Sequence, residues 1–109
     1  MSNLDDALLD AAEKGDASLV IALIMRGANK NAKGFRGRAA LHLAASNGHV
    51  DVVTKLCELG CDKNARDNCL YTALHWAAIN GHVDVVGQVF GAKNFLANHE
   101  AVIADVFSR

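Results

Sequence analysis

Ala40-Leu41-His42-Leu43-Ala44-Ala45-Ser46-Asn47-Gly48-His49-Val50-Asp51-Val52-Val53 returns with few changes as Ala73-Leu74-His75-Trp76-Ala77-Ala78-Ile79-Asn80-Gly81-His82-Val83-Asp84-Val85-Val86, at an offset of 33 residues. The period extends backwards: Ala11-Ala12 falls in phase with Ala44-Ala45, and Leu8 with Leu41 and Leu74. Gly27 coincides with Gly60, and Asn31-Ala32 with Asn64-Ala65. A repeat of this length marks one supersecondary unit copied along the chain.

Every unit has the same grammar. Residues 39–46 predict a short helix broken at Asn47-Gly48, and Val50 to Leu59 predict a second helix whose Val52, Val53, Leu56 and Cys57 form one apolar stripe. Gly60 stops that helix where a left-handed residue is wanted. The polar run from Cys61 to Leu70 is a turn-rich connector, and the small residues Ala44, Ala45, Ala77 and Ala78 let helices approach closely. No unit buries its stripe alone, so units stack and stability becomes a sum over neighbours.

Composition agrees with one small domain. The chain has 109 residues, 51% apolar and 21% charged, which excludes disordered and low-complexity classes. Its net charge of −1 gives no bulk attraction to nucleic acid. No apolar run approaches the roughly 20 residues that span a bilayer. Met1-Ser2-Asn3-Leu4-Asp5-Asp6 lacks the basic start of a signal peptide. The expectation is a cytoplasmic or nuclear chain whose three cysteines are reduced thiols.

Ala40 to Val53 and Ala73 to Val86 resemble the ankyrin repeat, and the resemblance covers roughly residues 4 to 93. It implies an all-α solenoid of stacked helix-turn-helix units with β-hairpin-like fingers. The expected domain runs over 1–109, with an N-terminal cap repeat at 1–33, units at 34–66 and 67–93, and a divergent C-terminal cap at 94–109. Departures from the family pattern carry expectations of their own. Its Thr-Pro-Leu-His opening is Ala39-Ala40-Leu41-His42 in one unit and Thr72-Ala73-Leu74-His75 in the next. The lost hydroxyl at Ala39 removes a partner for His42, so a looser first turn is expected there. Asp10 stands in phase with Leu43 and Trp76, which suits the solvated outer face of a cap. Lys55 and Gln88 replace a usual leucine, so that helix face is expected to be partly wet. After Val86 the phase decays through Gly87 and Gly91, and Phe95, Leu96, His99, Val102, Ile103, Val106 and Phe107 recur at helical spacing, with Asn98 as a cap. This tail either covers the last unit or remains an apolar stripe that dimerises.

Catalytic and metal chemistry find no support in the sequence. His42, His49, His75 and His82 lie at repeat-phase positions, two per unit, and so serve the repeat by bonding or capping backbone. Cys57, Cys61 and Cys69 follow a C-x3-C-x7-C spacing that matches no zinc pattern. Cys57 and Cys61 read as small core residues, and Cys69 as an exposed, oxidisable thiol near a finger tip. Gly34-Phe35-Arg36-Gly37 lacks the lysine and helix of a phosphate loop. The chain is expected to be no enzyme and to hold no cofactor or metal.

Recognition then falls to residues outside the repeat-phase set. The resemblance puts these on the fingers and the exposed face of each first helix: Lys33, Phe35, Arg36, Arg38, Arg66, Asn68, Cys69 and Tyr71, then Glu13, Lys14, Ser46, Asn47, Ile79 and Asn80. Phe35, Tyr71 and Arg36 are of the types that dominate interface energies. Phe35 is either such an anchor or a packing group against the next finger, and Trp76, in phase with Leu43, is expected in the core. No acidic residue lies between Ala17 and Val50, while Arg26, Lys30, Lys33, Arg36 and Arg38 do; Asp5, Asp6, Asp10, Glu13 and Asp16 crowd the first helix. The expected function is a non-enzymatic adaptor or inhibitor that binds a protein partner, an acidic segment steered by the basic edge. A homo-oligomer built on the tail and a polyanion binder built on the fingers are the alternatives. The resemblance also places Asn31 and Asn64 where asparagines of the family can be hydroxylated, although Lys30 and Lys63 precede them.

Overall fold

The computed structural model describes residues 3–87. Helices α1 (Asn3–Lys14) and α2 (Ala17–Met25) form the first unit and α3 (Ala40–Ser46) and α4 (Val50–Glu58) the second. In the third unit α5 (Ala73–Ile79) is followed by a helical segment at residues 83–87. The first helices α1, α3 and α5 stand side by side, and α2 and α4 form a second row behind them. Leu8, Val20, Val52, Val53, Leu56 and Val86 lie buried between the rows, with Ala11, Ala12, Ala44, Ala45 and Ala77 at the close approaches. The sequence expectation for 94–109, with Asn98 and the apolar stripe, lies outside the described residues, as does Gln88.

Local signals set the helix ends. The Asp16 carboxylate accepts the Leu19 N–H at 3.1 Å and so caps α2. Thr72 caps α5: its Oγ1 accepts the His75 N–H at 3.4 Å, and His75 Nδ1 accepts the Thr72 N–H at 3.1 Å. Ala39 keeps only the second half of that box, its N–H donating to His42 Nδ1 at 3.0 Å. The looser first turn expected for this unit is not observed. His42 is 1% exposed, and its Nε2 lies 3.0 Å from both Ala65 O and Tyr71 O of the next finger. The neighbouring unit supplies the contacts that the missing hydroxyl does not.

Two more repeat-phase histidines, His49 and His82, join units. His49 Nε2 donates to Glu13 O at 2.8 Å and His82 Nε2 to Ser46 O at 3.1 Å. Each ring lies over a left-handed glycine of the preceding unit, so a Cβ at Gly15 or Gly48 would come within 2.7 Å of it. A second stitch runs through short polar side chains. Asp5 Oδ1 accepts the Asn29 N–H and Asn31 Oδ1 accepts the Asp62 N–H, both at 2.8 Å. The Asn31 amide oxygen therefore ties one finger base to the next.

The fingers are tighter than the expected hairpins. Among the described residues the second unit shows one antiparallel bridge, Lys33 with Ala39, closed by the Gly34 N–H donating to Arg38 O at 2.9 Å. A short 3-10 turn at Phe35–Gly37 fills it, with Arg36 at φ 60°. The third finger closes through the Asp67 N–H to Tyr71 O at 2.9 Å. There Leu70 adopts φ 66° at the position where the second finger has Gly37 at 72°. A branched side chain in the left-handed region costs roughly 1–2 kcal/mol, and Leu70 is more than half exposed, so little packing offsets it. Leu70→Gly is expected to stabilise the domain by about 1 kcal/mol, read as a higher urea midpoint at unchanged slope.

Candidate functional site

The face formed by the fingers and first helices is organised by Asp67. Its side chain is 1% exposed and accepts three hydrogen bonds: from Cys69 N–H at 2.9 Å, Tyr71 N–H at 3.0 Å and Trp76 Nε1–H at 2.8 Å. Arg38 Nε lies 3.6 Å from the same carboxylate, with the guanidinium 4.4 Å above the Trp76 ring. Tyr71 stacks on His75 at 5.4 Å and meets Trp76 edge-on at 5.3 Å. Trp76 is therefore half-buried on this face and not in the core as expected, and Leu43, with which it shares a phase, is half-buried too. An indole N–H needs an acceptor, and Asp67 at the finger base provides it.

Two titrating groups respond to this packing. Burial lowers the His42 imidazole from its ordinary 6.5, and the Tyr71 carbonyl, the Asp67 charge and the Ala65 carbonyl restore it only in part. Burial alone would raise the Asp67 carboxyl, but the Trp76 indole and the Tyr71 and Cys69 N–H groups together hold it below its ordinary 3.8. Above pH 6.5 His42 is neutral in folded and unfolded chains alike. As the pH falls below that, the unfolded chain binds a proton that the folded chain refuses, so stability declines. The Asp67 contribution is full above 3.8 and is lost as the pH falls through the depressed folded value. Urea midpoints are expected to drop as the pH falls through about 6.5, and again as it falls below about 4.

The sequence-predicted residues divide into two groups. Nine have contacts that bind the stack to itself. Asn47 Nδ2 donates to Leu43 O at 3.0 Å, and Asn80 Nδ2 to Ser46 O at 2.8 Å and Ser46 Oγ at 3.0 Å. Lys33 Nζ donates to Arg66 O at 2.9 Å, and the Asn68 N–H to Arg36 O at 3.0 Å. Arg38 and Tyr71 belong to the Asp67 cluster. Phe35, 81% exposed with the Arg36 guanidinium 5.2 Å from its ring centre, and Ile79 project outward. The repetition of Asn47 at Asn80 was the available sign of a structural role.

Between α1, the second finger and α3 runs a groove lined by Asp6, Leu9, Asp10, Glu13, Phe35, Arg38 and Leu43. Asp10 is solvated, as expected for a cap; it also lines this groove and pairs with Lys14 at 3.0 Å. Its side chain stays exposed while lining the same groove as Leu43. Spacing of Asp6, Leu9, Asp10 and Glu13 along one helix face was the signal for this wall. Lys55 is exposed, as expected, as is Cys69; Cys61 is buried and Cys57 half-buried. The Cys61 thiol bonds to Cys57 sulfur, which lowers Cys57 to about 7 and pushes Cys61 up.

Stacked helix pairs joined by projecting turns define a helical-repeat solenoid. A family model of ankyrin repeats in three copies matches residues 8–100, and the chain belongs to the ankyrin-repeat family. Repeats of this family are generally protein–protein interaction modules and generally non-enzymatic. No curated protein matches the chain. Among the described residues no helix is long and apolar enough to cross a membrane.

Proposed function

We propose that this chain is a non-enzymatic adaptor or inhibitor that binds a protein partner on the face made by its fingers and first helices. The observation that carries this reading is Phe35: an aromatic ring 81% exposed at the tip of a turn held by its neighbours, and lining a groove. Exposing such a ring to water is unfavourable and contributes nothing to the stack, whereas burial against a partner recovers its hydrophobic energy. Around it, Lys33, Arg36, Arg38, Arg66, Asn68 and Tyr71 form the finger part of the surface. Ser46, Asn47, Ile79 and Asn80 form the helix part. The cations of Lys33, Arg36 and Arg66 steer an acidic stretch of the partner onto the finger edge, faster at low salt.

Affinity capture from native extract tests this, comparing the wild type with a Phe35→Ala, Ile79→Ala variant whose melting temperature matches it. Both changes fall on outward-facing side chains and spare the Asp67 cluster. A protein held by the wild type and released by the variant supports the reading. A partner held equally by both places recognition elsewhere and overturns it.

A further inference from the structure

We infer that the groove between α1 and the second finger takes a Lys or Arg side chain, flanked by apolar residues, from the protein partner; this rests on the binding face proposed above and names the chemistry of one end of it. The groove has an apolar floor and an acidic wall. Leu9 and Leu43 line it together with Phe35, while Asp6, Asp10 and Glu13 project from one face of α1. Among the described residues Asp6 and Glu13 make no ion pair. Asp10 pairs with Lys14, but both side chains are exposed, 60% and 72%, so a partner cation displaces that contact at little cost.

Among the described residues the one cation lining the groove, Arg38, does not neutralise this wall. Its charge is already matched by Asp67 at 3.6 Å and its guanidinium is held against Trp76. The surface is thus polarised, with carboxylates at the α1 end and the cations of Lys33, Arg36 and Arg66 at the finger edge.

That polarity selects the occupant. An acidic side chain here meets three carboxylates. A purely apolar one strips water from them and returns no hydrogen bond. The methylene stem of a Lys or Arg covers Leu9 and Leu43, its head reaches the carboxylates, and the Phe35 ring attracts the cation. Neighbouring apolar residues of the same segment bury the rest of Phe35.

A phage-displayed dodecapeptide library selected on the full chain tests this. The most enriched peptide is synthesised and its affinity measured for the wild type, for the Asp6→Asn, Asp10→Asn, Glu13→Gln triple variant and for Phe35→Ala. Circular dichroism confirms that each folds. The expected result is a shared Arg or Lys beside apolar residues, with binding weakened roughly tenfold or more in the triple variant and weakened in Phe35→Ala. Enriched peptides without a cation, or cationic peptides bound equally by the triple variant, overturn the inference. If the triple variant binds normally and Phe35→Ala does not, the inference fails while the proposed binding face stands. If neither variant loses affinity, the face fails with it.

Discussion

Replacing Asp67 by alanine is expected to destabilise the domain by about 3 kcal/mol, a large fraction of what so small a stack possesses. Three donors lose a charged acceptor in one step: the N–H groups of Cys69 and Tyr71, which shape the third finger, and the Trp76 indole. Hydrogen bonds to charged groups contribute roughly 1.5–3 kcal/mol each, and part of that is recovered where water reaches the freed donors. Arg38 would also lose its counter-ion while its Nε stays buried. A double-mutant cycle with Arg38→Met separates these parts. If the carboxylate serves mainly to neutralise Arg38, Arg38→Met in the Asp67→Ala background should regain stability. A loss below about 1 kcal/mol in urea unfolding would show that the finger keeps its shape without the carboxylate.

His42→Ala is expected to cost about 3 kcal/mol, and more than His75→Ala at the same place in the next unit. His42 is fully enclosed: Nδ1 takes the Ala39 N–H and Nε2 serves the next finger at Ala65 and Tyr71. Alanine leaves a cavity and an unpaired buried N–H, with no hydroxyl at position 39 to take over. At His75 the Thr72 Oγ1 remains to cap α5, and the site is half-buried, so about 1–2 kcal/mol is expected there. Equal losses at the two positions, measured by urea unfolding at pH 7.5 or about there, would mean that the turn alone sets the cost and the next unit adds nothing.

Much of the fold was legible because its rules are local and repeated. Ala44-Ala45 and Ala77 are small where helices touch, Gly60 stops α4, and Val52, Val53 and Leu56 mark the buried stripe. Each could be read twice, once per unit, which cancels accidents of composition. Legibility failed where a residue departs from its counterpart. Gly34 and Asp67 share a phase, yet only the carboxylate can gather the finger, the indole and Arg38. Trp76 shares a phase with Leu43 and both are half-buried, yet only the indole has an N–H to give that carboxylate. Ala39 lacks the hydroxyl of Thr72, and the next finger makes good the loss.

The candidate surface was legible in outline and not in detail. Phe35 and Arg36 could be chosen from residue type and glycine-rich surroundings. That Asn80, Lys33 and Asn68, and Asn47 through its 3.5 Å contact with Glu13 O, also bind unit to unit could not, since these partners lie about one repeat away in sequence. Sequence by itself determined the period, the helices and their ends, the buried stripe and the family, all of which follow from backbone preference and apolar spacing within a single unit. Only the tertiary structure decided which polar groups are consumed in holding neighbours together and which remain for a partner, because a hydrogen bond between units depends on distances that no spacing within one unit encodes. Asp10 shows the difference: the sequence marks it as a solvated residue, which it is, and only the fold sets it in the wall of the groove beside Phe35.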